Sequence, residues 1–212
     1  ETFVDGAGRA RRALTEHPGS FNGWAATQTI YDILGRVSQQ SIPTEVNPQN
    51  LNDPTTWNPA GDDSTWRYSY QKYDWKGRVI RKIGSDGVDS PTLNDSDVLI
   101  SYDGCGCAGG QVTTIQGENI NETDWNGNTT NTLGRRKQKV YEDILGRPYK
   151  TQVMNWDGVT PYSTTVNKYN GRDQILNTFQ YDGDDGNQTV RQVTMSYDGH
   201  GRMATRHYPI EN

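Results

Sequence analysis

The chain is short of the residues that build a thick core. Leu, Ile, Val and Phe together number 35 of 212, under the roughly 20% at which disorder becomes the default. No run approaches the roughly 18 apolar residues that cross a bilayer, and no charged-then-apolar leader opens the chain, so a soluble chain without a membrane span is expected. Its beginning at Glu1 and its end just beyond a turn are what a processed chain or an excerpt would show. There are two cysteines and three histidines. There is no Gly-x-Ser-x-Gly elbow, no phosphate loop and no recognisable Ser and His nucleophile pattern. These absences point away from an enzyme and leave no cofactor to expect. The net charge of −5 disfavours a nucleic-acid partner, because binding a phosphate backbone needs a basic surface. The one basic run, Arg135-Arg136-Lys137-Gln138-Lys139, reads as a solvated strand face.

What is present argues against disorder. Disordered chains are highly charged and poor in aromatics, whereas this one carries 12 Tyr and 6 Trp among 23 Gly. A long chain with few aliphatics, many Gly and regularly placed rings fits a repetitive β structure with a thin core. The repeat itself is visible. An Asp, two variable residues, a Gly and an Arg recur at Asp5 to Arg9 (with Gly8), Asp32 to Arg36 (Gly35), Asp74 to Arg78 (Gly77), Asp143 to Arg147 (Gly146) and Asp198 to Arg202 (Gly201). Tyr31, Tyr73 and Tyr197 stand immediately before the Asp in three of the five.

The spacing is that of a hairpin. Asp favours the first position of a type I turn, where its carboxylate accepts the turn's own N–H groups. Gly takes the left-handed position that closes the loop. Alternating polar and β-branched residues between the copies read as strands. Further turns near Asp86-Gly87, Asp157-Gly158 and Asp182-Gly183 fall at the opposite strand ends, so consecutive hairpins zigzag into an antiparallel strip.

Three copies depart from the pattern. One reads Tyr102-Asp103-Gly104-Cys105-Gly106-Cys107, with Cys107 where the Arg should stand. A weaker copy follows at Asp124-Trp125-Asn126-Gly127. A third is shortened to Tyr169-Asn170-Gly171-Arg172, where Asn-Gly is read as making the same reversal in a two-residue loop. The array spans 1–212 as a single series of about seven to eight repeats. It is interrupted at 43–63 by a Pro- and Asn-rich insertion carrying Pro43, Pro48, Pro54 and Pro59, a composition expected not to hold a ladder.

Tyr-Asp-x-x-Gly-Arg followed by a strand, at intervals of roughly 20 to 30 residues, resembles the YD repeats of Rhs proteins, in their repeat-wall portion. The resemblance implies an all-β strip of tandem antiparallel hairpins that spirals into a shell or tube wall. In that family such shells enclose a toxic C-terminal segment, or, in teneurins, support adhesion at the cell surface. This chain has no Asp-Pro-x-Gly-Leu motif of the kind that ends the repeats in shell-forming toxins; Asp53-Pro54 is followed by Thr55-Thr56.

Candidate chemistry is sparse. Cys105 and Cys107 are compatible with a disulfide, plain turn thiols or part of a metal site, although a tetrahedral site needs about four ligands. The turn aspartates are read as caps of their own turns rather than as an acid pair. Tyr31, Trp66, Tyr68, Tyr73 and Tyr102 have the ring chemistry to stack on sugars, but regularly spaced rings more often stack on neighbouring repeats. The repeat Arg is expected to pack between those rings and to bond the turn Asp of an adjoining hairpin. Asn94, Asn121, Asn128 and Asn187 begin glycosylation-type triplets. Two function classes remain: a wall-forming structural strip in an extracellular assembly, with self-association or continuation into further repeats, or a surface-adhesion module that binds a glycan.

Overall fold

The computed structural model describes residues 1–62, 64–84, 93, 96–104, 110–123, 125–186 and 189–208. The turn at Asp86-Gly87, residues Cys105, Gly106 and Cys107, Asp124, and the triplet asparagines Asn94 and Asn187 therefore lie outside the described residues. The protein is all-β, built from antiparallel hairpins, and the described helical content is two three-residue 3-10 turns, Phe21–Gly23 and Pro54–Thr56. It divides into two compact units, Glu1–Asp97 and Val98–Asn212.

The first unit contains β1 (Thr2–Val4), β2 (Ala10–Glu16), β3 (Trp24–Tyr31), β4 (Val37–Ser41), β5 (Thr44–Pro48), β6 (Trp57–Pro59), β7 (Tyr68–Tyr73) and β8 (Val79–Ile83). The strip runs β1-β2-β3-β4-β7-β8, each strand antiparallel to its neighbour. Residues 43–63 correct the expectation that the insertion cannot pair. β5 and β6 form a hairpin of their own, with Val46 opposite Pro59 and Pro48 opposite Trp57. β5 also pairs with the first half of β3, setting Thr44 opposite Ala26. The prolines do not block this because they stand where no central ladder N–H is needed: Pro48 and Pro59 end their strands and Pro54 opens a 3-10 turn.

The insertion supplies the core. Trp57 and Val46 are fully buried and pack with Leu14 and Ala26, with Phe3, Trp24 and Trp66 partly buried against them. Phe3 meets Trp57 edge to face at 5.1 Å, and the Trp57 indole N–H donates to the Asn50 carbonyl at 3.1 Å. Arg12 reaches across to donate to the Pro54 carbonyl. A single sheet with alternating polar faces cannot bury a large side chain by itself; the hairpin folded over β2 and β3 makes the second layer.

The second unit contains β9 (Val98–Asp103), β10 (Val112–Thr123), β11 (Thr129–Glu142), β12 (Pro148–Met154), β13 (Pro161–Tyr169), β14 (Ile175–Asp182), β15 (Thr189–Tyr197) and β16 (Met203–His207), paired antiparallel in chain order. Its buried side chains are as much polar as apolar: Met154 and Met195 beside Thr114, Gln152 and Thr164. Gln152 and Thr164 are bonded in series. Tyr141 donates to Gln152, whose amide donates to Asp184 at 3.0 Å, and Thr164 donates to the Gly183 carbonyl at 2.6 Å. A thin core of this kind holds only because its buried polar groups find partners.

The turn of residues 125–128 that joins β10 and β11 lies on the opposite edge from the Asp143 turn, since successive turns of a meander alternate ends. Gly127 there is left-handed, at φ 83°. The turn at residues 155–160 shares that edge. Asp157 accepts the N–H groups of Val159 and Thr160, and Gly158 is left-handed.

Candidate functional site

In each unit the repeat turns lie along one edge of the strip, and they have one geometry. At Asp32 the N–H of Gly35 donates to the Asp32 carbonyl, closing a type I turn, and the Asp32 N–H donates to the Arg36 carbonyl at 2.8 Å. One Asp32 carboxylate oxygen accepts the N–H groups of Leu34 and Arg36. The other accepts the Arg36 guanidinium through Nε at 2.7 Å and Nη2 at 2.6 Å. Gly35 stands at φ 80°, in the left-handed region that costs an L-residue roughly 1–2 kcal/mol. A register shift between Ile30 and Tyr31 marks the bulge that accompanies such a three-residue loop. The same bonds recur at Asp5 with Arg9, Asp74 with Arg78, Asp143 with Arg147 and Asp198 with Arg202. Gly8, Gly77, Gly146 and Gly201 are all left-handed. The two variable residues form the exposed loop tip: Ile33, Leu34, Trp75, Ile144 and Leu145 all face solvent.

The repeat Arg therefore binds the Asp of its own turn, which corrects the expected bond to the adjoining one. The adjoining hairpin contributes a ring. Arg9 lies over Tyr31 at 4.6 Å, Arg36 over Tyr73 at 4.3 Å and Arg147 over Tyr169 at 4.9 Å. The Tyr hydroxyl reaches back to the carbonyl of the residue after the preceding Arg, from Tyr31 to Ala10, Tyr73 to Val37 and Tyr169 to Pro148. Arg147 alone of these also bonds a neighbouring turn, donating to Asp173 at 2.8 Å. So Tyr, Asp, Gly and Arg are one clamp: Asp and Gly shape the turn, Arg locks it, and the next Tyr covers the Arg. Each cation–π contact of this kind is worth about 0.5–1 kcal/mol at an exposed site.

The turn at Asn170 corrects the two-residue reading. It has the same five-residue form: the Asn170 N–H donates to the Gln174 carbonyl, and the Asn170 side-chain oxygen accepts from Arg172 and Gln174. Asp173 takes the left-handed place at φ 62°, and Gln174 takes the place of the Arg. Gly171 and Arg172 are loop-tip residues. Asn can replace Asp as acceptor, and Asp tolerates the left-handed region better than most side chains, so nothing need be shortened. The clamp continues through Gln174, which donates to the Gly201 carbonyl at 2.8 Å, while Tyr197 donates to the Ile175 carbonyl. At the remaining copy, Tyr102 and Asp103 end β9 and Gly104 is left-handed at φ 81°.

A fixed register follows from the clamp. The residue three after the repeat Arg, or after Gln174, pairs with the residue three before the next Tyr: Arg12 with Gln28, Gln39 with Tyr70, Lys150 with Val166 and Asn177 with Thr194. Gly35 also clears a path for the preceding Arg. A Cβ on Gly35 would stand 2.7 Å from Arg9 Nη1, whereas a Cβ on Gly8 meets nothing within 4 Å. Gly8→Ala is expected to cost about 1–2 kcal/mol for its backbone conformation alone, and Gly35→Ala to cost more, because Arg9 must also leave its place. Denaturant unfolding of the two variants checks the order; equal losses would deny the path.

The electrostatics agree. The Asp5 carboxyl is held down to about 2, by the Arg9 side-chain bond first and then by the backbone N–H bonds. Asp143 is lowered chiefly by the Arg147 bond, and Asp198 by the Arg202 backbone N–H. At Asp32 and Asp74 desolvation pushes upward, but the backbone and side-chain bonds from Arg36 and Arg78 outweigh it. A carboxyl whose folded pKa is depressed lends stability above its unfolded value, near 3.8, and loses it as pH falls through the folded value. The melting temperature is therefore expected to be insensitive to these groups above about pH 5 and to fall between about pH 4 and pH 2. A melting temperature flat over that interval would refute the clamps.

Four of the five rings considered for sugar stacking are engaged. Tyr31 and Tyr73 lie under guanidinium groups, Trp66 packs against the core and Tyr68 donates to Gln28 at 2.7 Å. Among the described residues there is no cluster of three or more His, Cys, Asp or Glu placed to hold a metal ion, and no helix is long and apolar enough to cross a membrane.

No protein-family profile matches the chain, and no curated protein does. Among solved structures it is similar to a chain of the Tc holotoxin pore of Photorhabdus luminescens, at 12% identity and a TM-score of 0.22, over 100% of this chain and 15% of that one. It is also similar to a chain in the crystal structure of TcdB2-TccC3-TEV, at 11% identity and a TM-score of 0.23, over 95% of this chain and 12% of that one.

Proposed function

We infer that this protein is structural and non-enzymatic, a wall-forming strip of hairpins in an extracellular shell or tubular assembly. The observation that carries this reading is the clamp. Within the repeated motif Asp and Gly shape the turn, and the Arg with the following Tyr joins one hairpin to the next, in one register. The five repeat-turn carboxylates are tied to Arg and to backbone N–H groups. The regularly spaced rings Tyr31 and Tyr73 are covered by guanidinium groups and Trp66 packs against the core, while Trp75 and Trp125 stand exposed at separate loop tips. A strip joined in this way extends by adding hairpins, which is what a wall requires.

Electron microscopy of the concentrated, purified protein tests the reading, with curved strips, rings or tubes as the expected result. Uniform small particles, combined with saturable capture on a glycan array, would overturn it in favour of an adhesion module. A turnover activity abolished by one turn Asp→Ala change in an otherwise folded chain would overturn its non-enzymatic part.

A further inference from the structure

In the second unit the two edges on which the turns lie carry different side chains. On the edge of the repeat turns Ile144 and Leu145 are 74% and 65% exposed, and the next two tips present Arg172 and His200, both exposed. The Arg172 guanidinium is held only by a bond of 3.3 Å to the Gly199 carbonyl. On the opposite edge Trp125 is 93% exposed, followed by the exposed Asp157 of the 155–160 turn and then by Asp184 and Asp185, with side chains 58% and 36% exposed. Lys137 and Lys150 offset part of this negative charge from within the chain. A Trp or Leu so exposed contributes little to folding. Read in strand order, one edge runs apolar, basic, imidazole, and the other runs apolar, acidic, acidic.

The spacing lets these two series meet. Successive tips on one edge are two strands apart, about 9.5 Å, and the tips of the two edges alternate, so the edges of two parallel strips mesh after an offset of one strand. The offset that sets Ile144 and Leu145 beside Trp125 also sets Arg172 beside Asp157, and His200 beside Asp184 and Asp185. All three places are then complementary. Reversing the second strip would set Ile144 and Leu145 beside the two aspartates, and pairing the repeat-turn edge with its own kind would set Arg172 against Arg172. Like charges and buried unpaired charges count against both alternatives.

We propose, resting on the wall reading above, that the repeat-turn edge of the second unit is an interaction surface whose partner is the opposite edge of the same unit in a second copy of this chain. Ile144 and Leu145 of one copy pack on Trp125 of the other, and Arg172 pairs with Asp157. The contact is heterologous, so it repeats from copy to copy and widens the wall strip by strip.

Sedimentation of the 212-residue protein over a concentration series, with electron microscopy of the same samples, is the primary test. Trp125→Ala and Leu145→Ala, both at exposed loop tips, are expected to keep the circular-dichroism spectrum and each to raise the concentration for half assembly about 10-fold. Trp75→Ala, at a tip of the first unit, should leave it unchanged. Arg172→Glu should weaken assembly, and adding Asp157→Arg in the same chain should restore it. A mixture of Leu145→Cys and Trp125→Cys proteins is expected to give a 145–125 link between copies under mild oxidation, distinguished by peptide mapping from any product of Cys105 or Cys107. Assembly insensitive to Trp125→Ala and Leu145→Ala, or ribbons one strip wide, overturns this contact and leaves the wall reading standing. A monomer at every concentration also overturns the contact; it overturns the wall reading too only when joined by the glycan capture named above.

Discussion

Trp57→Ala is expected to destabilise the first unit by about 3–5 kcal/mol, the range for removing a large ring from a packed site. Trp57 is fully buried; its ring is the edge-to-face partner of Phe3, and its N–H holds the Asn50 carbonyl. Without it the insertion loses its anchor, and β5 loses what keeps it beside β3. Hydrogen exchange should then quicken at Ala25, Ala26 and Val46 ahead of the rest of the unit. Trp75 is the internal comparison: it is 89% exposed at a loop tip, so Trp75→Ala should stay within about 0.5 kcal/mol of the parent. A Trp57→Ala protein that unfolds within about 1 kcal/mol of the parent would show that the insertion does not hold the core.

Asp97 is the second site of large effect. It is fully buried, and Arg81 reaches it through Nε at 2.8 Å and Nη2 at 2.5 Å, with the Arg81 side chain 12% exposed. Removing one member of a buried pair leaves a charge in a low dielectric, and Arg81→Ala or Asp97→Ala should each cost about 3–5 kcal/mol. The double change Arg81→Met with Asp97→Leu should recover most of the loss, since apolar replacements of similar volume are often neutral. Thermal unfolding of the three variants decides the matter. Single changes no worse than Arg202→Ala, at the exposed pair, would mean that the buried pair contributes no more than a surface one.

The repeat turns were legible in the sequence because Asp and Gly are chosen there for backbone reasons that act locally: an acceptor for turn N–H groups and freedom at positive φ. Asn170 was misread by the same logic, since Asn-Gly is a strong signal for a shorter loop, and nothing local reveals that Asp173 takes the left-handed place. The Arg–Tyr stacking was half legible. The ring was expected, but the choice between its own Asp and the neighbour's depends on a bulge, and bulges are set by pairing. The role of the insertion was not legible. Its prolines argue against a strand when counted, and only their positions at strand ends show that they permit one. Arg81 and Asp97 stand 16 residues apart with no motif between them; their pairing follows from where the chain returns, which no short pattern records.

The fixed register bears on how such a chain lengthens in evolution. A tandem in-frame duplication of residues 148–174 would bring in one whole pair of strands together with the Tyr, the turn and the locking side chain that a neighbour needs. Because two strands are added, every residue downstream keeps the face of the sheet it had before. The new joint would match the old ones without a compensating mutation, since Pro148 and Ile175 play the same part as acceptors for the following Tyr. The opposite edge sets no such condition: there the connections range from the six residues of 155–160 to an insertion that packs Val46 and Trp57 onto Leu14 and Ala26. Copy number is thus free to drift by whole clamps on one side while sequence novelty accumulates on the other.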